Sequence, residues 1–304
     1  MKVLSFGEII WDIFGKDKHI GGAPLNFAAH CALLGSKVWL ASSAGDDELG
    51  EEAILQVKDF GINTDFISKM QGKETGKCIV CLDENAVPSY NILDDVAYDY
   101  IQMPEIKDEI DVIAFGSLAL RRENNRKVLS QILKTHTFGE VFADVNIRAP
   151  FYSKEAIELC LENATIVKIS DEELPIVSEV IFGETFSLED AAQKIADKYA
   201  GIKAIIITKG ANGSCCYDCR TGKFFFADAR EVNVVSTVGA GDSFSAAFLI
   251  KYMEKRPYIE CLEFASKISA FVCSNVEAVP KNMQEINRNI QKKVIKPLTK
   301  QPCV

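Results

Sequence analysis

Short β-rich runs alternate with stretches of helical periodicity along almost the whole of this chain, the pattern of a mostly parallel sheet covered by helices. Val3 to Gly7 reads as the first strand. Pro24 to Leu34 has apolar residues at helical spacing and stops at Gly35, which suits a C-cap. Val38 to Ser42 follows as a strand, and Asp47 to Phe60 as a helix closed by Gly61. Later strands fall at Val112 to Phe115, Val141 to Asp144, Ile166 to Ile169 and Ala204 to Thr208. Helices lie at roughly Glu123 to Lys134, Lys154 to Glu162, Leu188 to Tyr199, Ala240 to Met253 and Ile259 to Asn275. With 304 residues, 48 % of them apolar, one large α/β domain can be held by hydrophobic burial without metal or disulfide staples. No repeat, low-complexity segment or linker divides residues 1–304, so the expected fold is a single doubly wound α/β/α sandwich.

Two stretches break this rhythm. Cys78 to Leu82 and Val87 to Leu93 are strand-like and joined by Asp83-Glu84-Asn85-Ala86, a hairpin signal. Ile9 to Phe14 and His19-Ile20 form a second extended pair around Gly15-Lys16-Asp17-Lys18. These segments, at about 9–20 and 70–100, predict a small β-sheet lid on the main domain, placed to cover a substrate.

The net charge of −9 argues against a nucleic-acid or anionic-membrane partner. No run approaches the ~20 apolar residues of a membrane span. Met1 to Gly7 enters a strand at once with no apolar signal segment before it, so a soluble, cytoplasmic protein is expected. Its ten cysteines then read as reduced thiols, several of them in apolar runs. Cys215-Cys216 and Cys219 cluster, but no second pair or histidine completes a zinc site. His19, His30 and His136 are scattered, without partners at ligand or triad spacing, and carry no assigned chemistry.

The segment richest in chemical meaning is Ser236-Thr237-Val238-Gly239-Ala240-Gly241-Asp242-Ser243-Phe244. A β-rich run, Val232 to Val235, leads into it, and a long apolar helix begins at the glycines. The first N–H groups of that helix are left to hold an anion, and small residues let the anion come close. An aspartate at the mouth of an anion hole makes sense if it accepts a proton from a hydroxyl that attacks a phosphoryl group held there. It makes equal sense, on chemistry alone, as a helix N-cap in a glycine turn. The commoner nucleotide signatures are missing: Ser5-Phe6-Gly7-Glu8 lacks G-x-G-x-x-G, and G-x-x-x-x-G-K-[ST] occurs nowhere.

A second segment, Gly21-Gly22-Ala23-Pro24-Leu25-Asn26, opens the first helix. Paired glycines allow a ligand close to the backbone, Pro24 suits a first helical turn, and Asn26 offers both donor and acceptor. With Asp12 just before it, this forms a clamp for vicinal hydroxyls. A turn followed by a helix start would also explain the glycines.

GGAPLN, the GDD at Gly45 to Asp47 and TVGAGDSF, in this order and spacing, resemble the ribokinase-like (PfkB) carbohydrate kinase family over roughly Val3 to Pro280. Val96-Ala97-Tyr98-Asp99 and Asp144-Val145-Asn146-Ile147-Arg148 are most similar to fructokinases, and 2-keto-3-deoxygluconate kinases share the second stretch. The resemblance implies a ribokinase-like sandwich with a β lid, ATP and Mg²⁺ as cofactor and metal, and a sugar as substrate. It implies Asp242 as base, Gly239, Ala240 and Gly241 as the hole for the γ-phosphate, and Arg148 beside the transferred group. Asp12, Gly22, Asn26 and Asn146 would hold the sugar. Thr208, Lys209, Gly210, Gly213 and Ser266 would line the nucleotide site. For the first four, a plain β-hairpin is the competing explanation, since Asn212-Gly213 is itself a turn signal. Glu173, in Ser170-Asp171-Glu172-Glu173, takes the place of the family's Mg²⁺-holding glutamate, through water.

Two departures put potassium binding in doubt: Ser236 stands where the family usually has Asp, and Glu277 where it usually has Gly. Ser170 in place of Asn is a milder change. The resemblance also implies a homodimer through the lid.

The reading is an ATP-dependent sugar kinase, fructokinase-like. A 2-keto-3-deoxygluconate kinase is the nearest rival; its acid substrate would demand positive charge near the lid, where Lys73 and Lys77 are present but no lid arginine. A nucleoside kinase would leave the fructokinase-like stretches unexplained. A silent sugar-binding regulator on the same fold would have no need of Asp242.

Overall fold

The computed structural model describes residues 1–82 and 88–280. The chain opens with β1 (Lys2–Phe6), the hairpin of β2 (Ile10–Phe14) and β3 (Asp17–Gly21), and α1 (Ala23–Leu33). β4 (Lys37–Gly45) and α2 (Glu48–Asp59) follow, then β5 (Ile62–Asn63), β6 (Ile67–Met70), β7 (Gly76–Leu82) and β8 (Pro88–Ile92). Next come β9 (Val112–Gly116), α3 (Glu123–Thr135), β10 (Glu140–Asp144), α4 (Lys154–Asn163) and β11 (Ile166–Ser170). The last part runs α5 (Leu174–Phe182), α6 (Leu188–Lys198), β12 (Ala204–Thr208), β13 (Ser214–Asp218), β14 (Lys223–Ala227), α7 (Ala240–Met253) and α8 (Tyr258–Cys273).

The main sheet has the order β14-β13-β12-β11-β10-β9-β1-β4-β5, with β6 also on β4. From β12 to β4 every neighbouring pair is parallel, and β13 and β14 close one end as an antiparallel hairpin. Strands buried on both faces read as nearly continuous apolar runs, and along β12 Ala204 and Ile206 pack with α1, α7 and α8 while Ile205 and Ile207 pack with α3 to α6. This is the doubly wound sandwich expected. The chain goes from β1 to β4 on one side and then returns to β9 on the other, so the direction of winding reverses between β1 and β9. Clefts open beyond the carboxyl ends of strands at such a reversal.

The second sheet, β3-β2-β7-β8, is the expected lid. The predicted turn at residues 83–86, and Val87, lie outside the described residues. Ile10, Cys78 and Val80 of the lid bury against Val96, Tyr98 and Leu118 of the main body. Ala97–Tyr100 is a 3₁₀ turn in the floor beneath the lid. There Asp99, fully buried, receives a bidentate ion pair from Arg121 at 2.6 and 2.7 Å. Asp47 of the GDD segment caps α2 through Gly50 N–H (2.8 Å) and also accepts from Thr75 N–H (2.8 Å), which ties α2 to the root of β7.

One sequence expectation needs correction, and other elements were not anticipated. Val232 to Val235 is not a strand: among the described residues no strand pairs with it, Val235 N–H goes to Cys273 O of α8 at 2.8 Å, and its valines are exposed. β-Branched residues favour strands because they fit a half-buried pleated surface, and the sheet already ends at β14. Ser214–Asp218 and Lys223–Ala227 form the edge hairpin instead. α5 was not anticipated either, because Leu-Pro-Ile-Val-Ser-Glu-Val-Ile-Phe is too evenly apolar to show a period.

Candidate active site

α1 and α7 both begin at the carboxyl edge of the main sheet, and their first turns meet there. Gly22 caps α1 with φ 111°, and a Cβ on it would stand 2.5 Å from the Glu8 carbonyl, so only glycine lets the chain turn here. That turn directs buried Asn26 across to α7, where its amide donates to Asp242 Oδ2 at 2.8 Å. Residues 216 apart in sequence thus meet in one hydrogen bond. Asp12 on β2 comes up against the same turn, with Oδ2 3.1 Å from where a Cβ on Gly21 would be. Burial raises the Asp12 carboxyl above its ordinary value, opposed by His19, the Cys78 thiol and Arg148.

The cap of α7 is Gly239, at φ 77°, and Asp242 is the helix's third residue. Asp242 therefore does not cap the helix; its side chain turns to Asn26. Ala240 N–H reaches Thr237 O and Ser243 N–H reaches Gly239 O, while Gly241 and Asp242 N–H find no acceptor among the described residues. Two free amides at a positive helix end, beside a glycine, can hold an anion. Burial pushes the Asp242 carboxyl up to about 6; the Asn26 hydrogen bond pulls it down, Asp144 pushes it up, and Lys168 and Arg148 pull it down. A carboxylate poised there is still ionised at neutral pH and basic enough to take a proton.

Behind the hole lies a pair that sequence reading missed. Lys168 on β11 and Asp144 on β10 are register partners, and Lys168 Nζ donates to both carboxylate oxygens at 3.0 Å. Ser245 Oγ of α7 donates to Asp144 Oδ2 at 3.0 Å. Burial works against charge on Lys168, but Asp144 first, then Glu173 and Asp242, raise it above the ordinary amine value. A lysine inside Ile-Val-Lys-Ile-Ser, on a strand buried on both faces, was the available signal. Glu8, after β1, was missed as well: it is 2 % exposed, its Oε2 has no partner, and burial pushes its carboxyl up to about 7.

The segment after β10 completes the site. Asn146 is held at φ 41° with 9 % exposure, and it shares a narrow cleft with Ser5, Pro24, Gly116, Asp144 and Asp242. Arg148 is exposed but close enough to act electrostatically on Glu8, Asp12 and Asp242. Glu173 accepts Ile147 N–H at 2.7 Å on Oε1 and Ser170 N–H at 2.8 Å on Oε2, so it fixes the loop that carries Arg148. Each oxygen keeps a lone pair for a water. Among the described residues no three His, Cys, Asp or Glu side chains converge as a metal cage.

The nucleotide candidates begin on the neighbouring strand, where Thr208 is the register partner of Ser170 and its carbonyl accepts Asp171 N–H at 2.9 Å. Thr208, Lys209, Gly210 and Gly213 form the connection between β12 and β13, a hairpin closed by a 3₁₀ turn. Gly213, at φ 85°, sits 2.3 Å (by its absent Cβ) from Ala227 O. Ser266 of α8 donates to Asp228 O at 3.1 Å, so it tethers the segment after β14. Val234, Val235, Val238 and Val276 stand exposed on the loops beside the α7 cap. His30 is buried, bonds Ala278 O at 2.8 Å and is held near 4 by burial, a neutral tie between α1 and the segment after α8.

A family model for pfkB family carbohydrate kinases matches residues 5–285. An uncharacterized sugar kinase of Pyrococcus horikoshii is 30 % identical over 292 residues, 88 % of each chain. Its crystal structure in complex with ATP has a TM-score of 0.76 at 26 % identity, covering 91 % of this chain and 94 % of that one. A 5-dehydro-2-deoxygluconokinase of Geobacillus thermodenitrificans is 27 % identical over 296 residues, 90 % of this chain and 85 % of its own. An Arabidopsis thaliana protein named as fructokinase-4 is 26 % identical over 312 residues, 91 % of this chain and 92 % of its own.

Proposed function

The chain belongs to the PfkB family of carbohydrate kinases, and on that premise we propose that it is an ATP-dependent fructokinase with Asp242 as its catalytic base. The observation that carries this is the meeting of Asn26 and Asp242 at the unpartnered amides of α7. A sugar hydroxyl placed there gives its proton to Asp242 as its oxygen attacks the γ-phosphorus; the bond to the bridging oxygen breaks and ADP leaves. Asp12, Gly22, Asn26 and Asn146 orient the sugar. Gly239, Ala240 and Gly241 hold the γ-phosphate, and Arg148 meets the charge that spreads over it. The exposed valines around the α7 cap offer an apolar face for the adenine, next to Thr208, Lys209, Gly210, Gly213 and Ser266. Mg²⁺ would neutralise the phosphates, held mainly by them and by water, with Glu173 as the protein's anchor. Potassium activation is weak on this reading, because Ser236 and Glu277 replace the usual residues.

The charge balance supports a neutral sugar. Glu8, Asp12 and Asp242 line the sugar side, and of the lysines and arginines acting on them among the described residues Arg148 has no ion-pair partner while Lys168 is held by Asp144. Other nearby cations are already paired: Lys73 with Asp95 at 2.7 Å, Lys77 with Glu74 at 2.9 Å and Arg121 with Asp99. A sugar acid is the second reading, favoured by the name of the Geobacillus relative. Coupled ADP release should show fructose with the highest kcat/KM among fructose, ribose, 5-dehydro-2-deoxygluconate, 2-keto-3-deoxygluconate and adenosine. Preference for either acid by tenfold or more would replace the fructose reading.

On the same reading a second copy pairs with the lid, whose outer strands β3 and β8 have free edges among the described residues. Sedimentation at micromolar concentration should then give the dimer mass; a monomer alone refutes it.

A further inference from the structure

Lys168 is buried in the middle of an apolar strand, and nothing in the reaction as described above uses it. Its Nζ lies 3.3 Å from where a Cβ on Gly241 would stand, directly behind the anion hole. Two of its N–H groups go to the Asp144 oxygens, and the third has no acceptor among the described residues. Asp144 in turn is fastened to α7 by Ser245, one turn beyond Asp242. An isolated buried ion pair adds little to stability, and apolar residues in its place are often as stable or more so. This pair joins β10, β11 and the first turn of α7 at the point where negative charge must gather.

We infer that Lys168, clamped by Asp144, is a positioning residue that fixes the first turn of α7 and keeps a permanent positive charge behind the phosphate hole and the Asp242 carboxylate. The inference rests on the kinase reading for its meaning but not for its test. The charge keeps Asp242 ionised close to neutral pH and favours the anionic transition state over the bound ground state. Gly241 is glycine partly for this reason: a methyl group there would crowd the ammonium.

Asp242 is faced by Asn26 of α1, Asp144 of β10, Lys168 of β11, Arg148 after β10 and Glu8 after β1, and Glu173 ahead of α5 acts on Lys168. Lys168→Met and Asp144→Asn therefore change its surroundings with opposite sign. The direct test follows the Asp242 carboxyl by ¹³C NMR in the free protein, with the signal assigned by its loss in Asp242→Asn. Lys168→Met should move the titration to higher pH by about one unit, and Asp144→Asn should move it lower. A purely structural pair would move both in the same direction or neither. The isosteric Asp144→Asn keeps the test alive if Lys168→Met does not fold. In turnover assays Lys168→Met should shift the acid limb of the rate profile upward and lower kcat at pH 7 by roughly 10–100-fold. Its sugar KM should stay within about twofold of wild type. Titrations that stay at the wild-type position in both variants overturn the inference, whatever sugar the enzyme phosphorylates.

Discussion

Asp242 carries two obligations that oppose each other, and both can be measured. Only its ionised form accepts a proton, so kcat/KM should rise with pH through about 6 and level off above it. A profile flat from pH 5 to 8 would assign the base elsewhere. Because burial lifts the folded carboxyl above its unfolded value, the folded state binds the extra proton between about 4 and 6. Stability contributed by this group is thus greatest at low pH and is lost as pH rises through about 6. Asp242→Asn should then raise the melting temperature at pH 8, by up to about 3 kcal/mol of stability, and have far less effect near pH 4. An unchanged melting temperature at pH 8 would mean the carboxyl is better solvated than its burial implies. Single residues were unevenly legible in sequence. Asp242 and Asn26 stood in recognisable segments, whereas Lys168 and Arg121 act through partners 24 and 22 positions away that no local pattern marks.

At the scale of elements, the start of α7 depends on Gly239, whose φ of 77° and 2.8 Å approach to Ala278 O exclude a side chain. Gly239→Ala should lose roughly 1–3 kcal/mol in thermal or urea unfolding and most of its activity, because the helix end must shift away from the segment after α8. Wild-type stability in that variant would show that the turn relaxes freely. The helix itself was legible from its apolar run, and its predicted bounds, Ala240 to Met253, match the structure. The residues before it were not. Val232 to Val235 has the composition of a strand, but a strand forms only where another edge pairs with it, and here Val235 N–H goes to Cys273 O of α8 instead. The same exposed valines are what the nucleotide reading uses, so the failure of local propensity falls at a site of proposed function.

Across the whole molecule, alternation of strands and helices revealed the sandwich, because strands of a parallel sheet covered on both faces are nearly continuous apolar runs. The lid was legible from two hairpin signals, but its seating was not. It rests on a floor formed by Val96, Tyr98 and Leu118 and braced by Arg121 on Asp99, contacts that depend on three separate segments. Asp99→Ala would take the bidentate partner from the buried Arg121 guanidinium, leaving it Leu93 O at 2.9 Å and a 3.8 Å approach to Asp94, and should cost up to about 3–5 kcal/mol. Lid opening monitored by hydrogen exchange in β7 should quicken in that variant; unchanged protection of β7 would detach the lid from this floor. The account as a whole stands on one event, proton transfer to Asp242 as phosphate moves to a sugar. Its most direct test is ³¹P NMR of fructose and ATP with Mg²⁺, comparing wild type with Asp242→Asn under conditions where calorimetry shows both ligands bound. The wild type should form ADP and a sugar phosphate in equal amounts, and the variant should be slower by roughly 10²–10⁴-fold with its ligand affinities nearly intact. A variant that keeps more than about a tenth of the wild-type rate would contradict the assignment of Asp242 as the base.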